Sequence, residues 1–117
     1  MKKVSLEYPI LLSELTEMAQ KMQDELVKAV VDLEQQIMLV DSPMHADEEF
    51  KMLEEEGSLQ ENLWGINLYP DSFGTDKWIE FDSMINIRPR QQNRSRTVES
   101  IDIQNKIRQL VAKLVVK

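Results

Sequence analysis

No cysteine occurs in the chain, and glycine (three), proline (four) and histidine (one) are scarce. Each absence closes a class of chemistry. Without cysteine there is no disulfide, thiolate nucleophile, cysteine-ligated zinc or iron-sulfur cluster, which suits a reducing cytosol. With three glycines no glycine-rich phosphate loop can form, and neither Ser83 nor Ser95 sits in a glycine-flanked nucleophile elbow. A single histidine, His45 in "HADEE", cannot supply the two-histidine zinc site of an HExxH helix. No segment approaches the roughly 18 apolar residues of a membrane span. "MKKVSLEYPI" lacks the apolar stretch of a signal peptide. A cytoplasmic protein without a membrane partner is expected.

What the chain does have is charge, unevenly placed. Its 117 residues fit one domain, 1–117, large enough to bury a core without covalent staples. The net charge is -7. Residues 41 to 61 hold Asp41, Asp47, Glu48, Glu49, Glu54, Glu55, Glu56 and Glu61 against Lys51 alone. Four of the five arginines, Arg88, Arg90, Arg94 and Arg96, fall in the nine residues "RPRQQNRSR". A net acidic field opposes indiscriminate binding to nucleic acid, whereas a local basic loop can still hold phosphate.

Periodicity supplies the elements. Ser13 is placed as the cap of a helix to about Glu25, with Leu15, Met18, Ala19 and Met22 as its apolar stripe. From Val27 the period changes to two, and residues 27 to 40 read as a hairpin closed at "EQQ". A continuous helix through "LVKAVVDLEQQIML" is the competing reading. Ser42 as cap and Pro43 at the first position predict a shorter helix that buries Ala46, Phe50 and Leu53 and stops at Gly57. Strands are predicted at 63 to 69 and 77 to 88, the latter ended by Pro89, and Ser100 caps a helix over 101 to 116. The fold class is α+β: a mainly antiparallel four-stranded sheet with helices on one face.

On that plan the opposite face is a solvated one carrying Asp32, Glu34, Asn67, Tyr69, Glu80, Asp82, Asn86 and Arg88. Two sites are conceivable. Glu80 and Asp82 point the same way along a strand; with Asp32, and with His45 alongside, they offer hard oxygen ligands for magnesium or manganese, the basis of a metal-dependent hydrolase. Arg88, Arg90, Asn93, Arg94 and Arg96 offer guanidinium and amide donors to an anionic, phosphate-bearing small molecule or RNA. The bland alternative pairs these arginines with the acids of 47 to 61, within the chain or across a homodimer of an interaction protein, for little net stability per exposed pair.

The strings "VVDLE", "HADEE", "ENLWGINLYP", "WIEFDSMINIRP" and "NRSR" resemble a family of small prokaryotic proteins, a domain of unknown function. The resemblance spans roughly residues 27 to 96, and the flanking helices agree in character. Asn62 stands where that family would carry aspartate before "LWG". The resemblance implies no activity, cofactor or site residue.

Overall fold

The computed structural model describes residues 1–117. Its elements run β1 (Lys2–Ser5), β2 (Ile10–Leu11), α1 (Leu12–Lys21), β3 (Val27–Asp32), β4 (Ile37–Val40), α2 (His45–Glu55), β5 (Leu63–Leu68), β6 (Ile79–Glu80), α3 (Ile101–Leu114) and β7 (Val115–Val116). The main sheet is antiparallel and five-stranded, in the order β1-β4-β3-β5-β6, one strand more than the sequence pattern suggests. The added strand is β1, four residues too short to announce itself, which aligns Val4 with Met38. A separate parallel pair, β2 with β7, ties the segment entering α1 to the end of α3. No helix is long and apolar enough to cross a membrane.

The α+β class and the hairpin hold. Val27–Asp32 pairs with Ile37–Val40, and the turn forms because Asp32 Oδ1 accepts the Glu34 and Gln35 N–H groups at 2.9 and 3.0 Å. An aspartate that gathers backbone donors in this way offers the chain a turn in place of a continuing helix. One sheet face carries Val27, Ala29, Val31, Met38, Val40, Trp64, Ile66 and Leu68 against Leu15 and Ala19 of α1 and Ile107, Leu110, Val111 and Leu114 of α3. Each large side chain buried there contributes roughly 1.5 to 3 kcal/mol. α3 begins at the expected cap: the Ser100 hydroxyl accepts the Ile103 N–H at 3.2 Å. α1 is capped differently from expectation. Ser13 lies inside it, and Glu14 Oε2 accepts the Leu11 N–H at 3.0 Å.

The expectation of helices on one face, with the other solvated, is corrected. α2 lies over the second face, where Met52 packs with Val30, Ile37, Leu39 and Leu63. Asp32 and Asn67 are buried on that side, and Asn86 and Arg88 are buried at the edge of β5. α2 is also turned relative to its apolar stripe. It buries His45, Glu48 and Met52, while Phe50 is 64% exposed and Leu53 faces outward. The short β4–α2 connection, which reverses at Asp41 with φ 71°, starts the helix at His45 instead of at Pro43. His45 Nε2 then donates to the Ile66 carbonyl at 2.8 Å, and three- and seven-residue steps place Glu48 and Met52 on the same side.

The long strand expected at 77 to 88 is also corrected: only Ile79–Glu80 pairs with β5. Beyond it, Asp82 makes an isolated bridge to Thr97, and residues 84 to 86 form a 3-10 turn capped by the Ser83 hydroxyl. Side chains take the place of the missing strand. Asn86 Oδ1 accepts the Gly65 N–H at 2.8 Å and Asn86 Nδ2 donates to the Gly65 carbonyl at 2.9 Å, the two bonds that a strand residue would have made. Gly65 is required: an added Cβ would lie 2.6 Å from Ser83 Cβ.

Candidate functional site

The arginine stretch is a rigid loop that leaves β5's outer edge and returns to α3. Arg88 and Asn93 face each other, with Arg88 N–H to the Asn93 carbonyl at 2.7 Å and the reverse bond at 3.1 Å. Between them residues 89 to 91 form a 3-10 turn, and Gln92 takes the left-handed conformation at φ 59°. Asn93 organises the second half of the loop. Its Nδ2 donates to the carbonyls of Asn86, Thr97 and Ser95 at 2.7, 2.8 and 3.1 Å, and its Oδ1 accepts the Glu99 N–H at 2.9 Å. Glu99 Oε2 in turn accepts the N–H groups of Arg94 and Ser95 and the Ser95 hydroxyl at 2.7 to 2.9 Å. The Ser95 hydroxyl bond first, and then these N–H groups, hold the Glu99 carboxyl below the usual carboxylate range.

The five residues singled out for an anion therefore divide. Arg88 is buried; its Nη1 and Nη2 donate to the carbonyls of Gln60 and Leu63, and its guanidinium lies 4.2 Å from the Trp64 ring centroid. It seals the β5 edge. Burial lowers its pKa, and Glu49 of α2 acts against that as the nearby countercharge. Asn93 spends its amide on the loop itself, and Gln91 ties the loop to the turn before β5 by donating to the Glu61 carbonyl at 3.0 Å. Arg90, Arg94 and Arg96 are exposed. Arg96 grips Asp82 with Nε to Oδ1 at 2.8 Å and Nη2 to Oδ2 at 3.3 Å, a bidentate pair that raises the arginine pKa. Neither Arg90 nor Arg94 makes a salt bridge, and Glu99, which accepts the Arg94 N–H, is the carboxylate within electrostatic reach of Arg94.

Pairing between the loop and the acids of 47 to 61 reduces to the long-range influence of Glu49 on Arg88. Glu56 is taken by Lys3 at 2.7 Å, and Glu55 by Lys51 at 3.8 Å. The carboxylates proposed as metal ligands do not converge. Asp32 ends β3, where Ser58 Oγ donates to its Oδ2 at 2.7 Å; Glu80 is level with Asn67, which pairs with Lys28. Four residues of strand, roughly 13 Å, separate the two positions. Glu80 Oε1 accepts Asn67 Nδ2 at 2.7 Å and the Tyr69 hydroxyl at 3.3 Å, while Asp82 is held by Arg96. No three acidic or imidazole groups lie close enough to hold a metal ion. Magnesium or manganese bound by Glu80, Asp82 and Asp32 together does not fit this arrangement.

Two buried titratable groups are not legible in the sequence, because the apolar stripe of α2 points to a different phase of the helix. Burial, opposed by the Ile66 carbonyl, lowers the His45 pKa and keeps the ring neutral. A carbonyl partner requires the proton on Nε2 and leaves the Nδ1 lone pair free. Lys28, Asp82 and Arg96 lie within electrostatic reach of the ring. Glu48 is fully buried, and neither carboxyl oxygen has a hydrogen bond of ordinary geometry. Desolvation pushes its pKa up to about 10, so the carboxyl is protonated at neutral pH; the nearby Ser42 N–H acts weakly the other way.

The model of the family described as "Protein of unknown function (DUF5674)" matches residues 5–114. No curated protein and no solved structure matches the chain significantly. The match covers both flanking helices as well as the central strings that carry the resemblance, and the chain belongs to the DUF5674 family of proteins of unknown function.

Proposed function

We propose that the chain is a cytoplasmic binding protein for a phosphate-bearing anion, held at the 88–97 loop by Arg90, Arg94 and the outer edge of Arg96. One observation carries this reading: on a chain of net charge -7, Arg90 and Arg94 stand exposed with no salt bridge, on a loop whose backbone is fixed by Asn93 and Glu99. A fixed loop loses little conformational entropy on binding, and guanidinium groups match phosphate oxygens bidentately. Arg88 and Asn93 support the contact from beneath by building the loop. Arg90, Arg94 and Arg96 are all exposed, so the ligand lies across the outer surface of the loop. An extended phosphate backbone such as RNA suits that surface better than an enclosed metabolite.

The test is fluorescence anisotropy with a labelled single-stranded RNA, with inorganic polyphosphate as competitor. The wild-type chain is expected to bind. The double change Arg90→Ala with Arg94→Ala should weaken binding roughly tenfold to a hundredfold, make it less salt-dependent and leave the melting temperature unchanged. Absence of binding to both polyanions at low salt, or undiminished binding by the double variant, overturns the reading.

A further inference from the structure

A cleft that shares no residue with the arginine loop opens between the 70–78 loop and the C-terminal half of α3. Its volume is about 280 Å³, and it is open to solvent on one side. On the loop side its wall is Phe73 and Trp78, packed edge to face with ring centroids 5.1 Å apart and planes at 73°, continued by Ile79. On the other side Arg108 and Ala112, four residues apart on one face of α3, and Val115 of β7 line it. The space exists because Ala112 presents only a methyl group where the turns on either side present longer side chains. The loop wall is set by short turns: Thr75 N–H to the Ser72 carbonyl at 3.0 Å, Trp78 N–H to the Thr75 carbonyl at 3.3 Å, and Gly74 at φ 84°.

Two cations without carboxylate partners flank this apolar space. Arg108 lies 4.9 Å from the Phe81 ring centroid and reaches only the amide oxygens of Asn105 and Gln104, at 3.0 and 3.5 Å. Lys117 Nζ stands 5.5 Å from the Phe73 ring centroid. The single acid on the lining is Asp76. With Arg108 and Lys117 set against the one carboxylate of Asp76, the aromatic slot favours a flat apolar body with one negative group. A volume at the small end of ligand pockets limits that body to about two fused rings.

We infer that this cleft binds a small planar apolar molecule bearing one carboxylate, its ring system between Phe73, Trp78 and Ala112 and its carboxylate toward Arg108 and Lys117. The probe is 2-naphthoate, with naphthalene and 2-naphthylmethylammonium as neutral and cationic counterparts, followed by two-dimensional NMR of the full chain. Naphthoate is expected to shift the Gly74 and Thr75 amides and the Trp78 indole and to bind more tightly than either counterpart. Arg108→Gln with Lys117→Gln should cost naphthoate roughly fivefold in affinity or more and leave naphthalene unaffected. Ala112→Phe, on an exposed helix position, should fill the cleft and remove binding of both without lowering the melting temperature. The inference is overturned if naphthoate leaves those signals unmoved, if the ammonium compound binds as tightly as naphthoate, or if Ala112→Phe binds as well as the wild type.

Discussion

Glu48 is the residue whose chemistry and position conflict most. A carboxyl with no exposed surface and no partner of ordinary geometry stays buried only by keeping its proton. Its folded pKa, near 10, lies above the ordinary 4.5, so the unfolded chain releases a proton that the folded chain retains between those values. Stability from this group is complete below about pH 4.5 and is lost as pH rises toward about 10, at up to ~1.4 kcal/mol per pH unit. Glu48→Leu is therefore expected to raise the melting temperature at pH 8 by roughly 5 °C or more, and by much less at pH 5. Thermal melts of both proteins at the two pH values check it; a variant less stable at pH 8 would show that Glu48 is paired after all. His45 has the opposite sign. Its folded pKa is lowered by burial, so its contribution is present above the ordinary 6.5 and is lost as pH falls through the lowered value.

At the scale of elements, α2 decides which face of the molecule is covered. An apolar stripe of Ala46, Phe50 and Leu53 competes with His45, Glu48 and Met52, and the less apolar set is the one that meets the sheet. A short connection from β4 and the bond from His45 to the Ile66 carbonyl hold the helix in the phase that leaves Phe50 outside. Met52→Ala should then cost about 2 to 5 kcal/mol by opening a cavity against Val30, Leu39 and Leu63. Phe50→Ser should change stability by roughly 0.5 kcal/mol or less. Urea denaturation of the two variants separates the phases, since a helix packed on Phe50 would reverse the order. The 82–97 segment shows the same competition. Its first part, to Arg88, alternates as the end of a strand expected over 77 to 88, yet the amide of Asn86 and the guanidinium of Arg88 satisfy the edge of β5 from a loop.

For the whole molecule, charge matters more through its sum than through its pairs. The fold has four ion pairs, none with both side chains buried. Such pairs contribute little, whereas a net charge of -7 works against the compact state by self-repulsion. Added salt is expected to raise the melting temperature between about 10 and 300 mM NaCl as the screening length falls from roughly 30 to 6 Å. The same salt should weaken RNA binding at the arginine loop. Scanning calorimetry and anisotropy over one salt series would show the two trends running in opposite directions; a melting temperature that falls with salt would mean that local attraction outweighs the net charge.

The class of the fold, the 27–40 hairpin, α3 with its Ser100 cap and the exclusion of cysteine and glycine-loop chemistry are all legible in the amino-acid order. They depend on features within a few residues of one another: the change of period at Val27, the Asp32 turn, the stripe from Ile103 to Val115. The basic loop is legible too, although not the division of its residues into supports and free cations. Only the packed chain turns Arg88 and Asn93 inward, sets Asp32 a strand's length from Glu80, and buries His45 and Glu48. Local pattern records how polar a side chain is and at what period it recurs. It does not record which distant carbonyl lacks a donor, and here Gly65, Leu63 and Ile66 draw Asn86, Arg88 and His45 out of the positions that their polarity alone would give them.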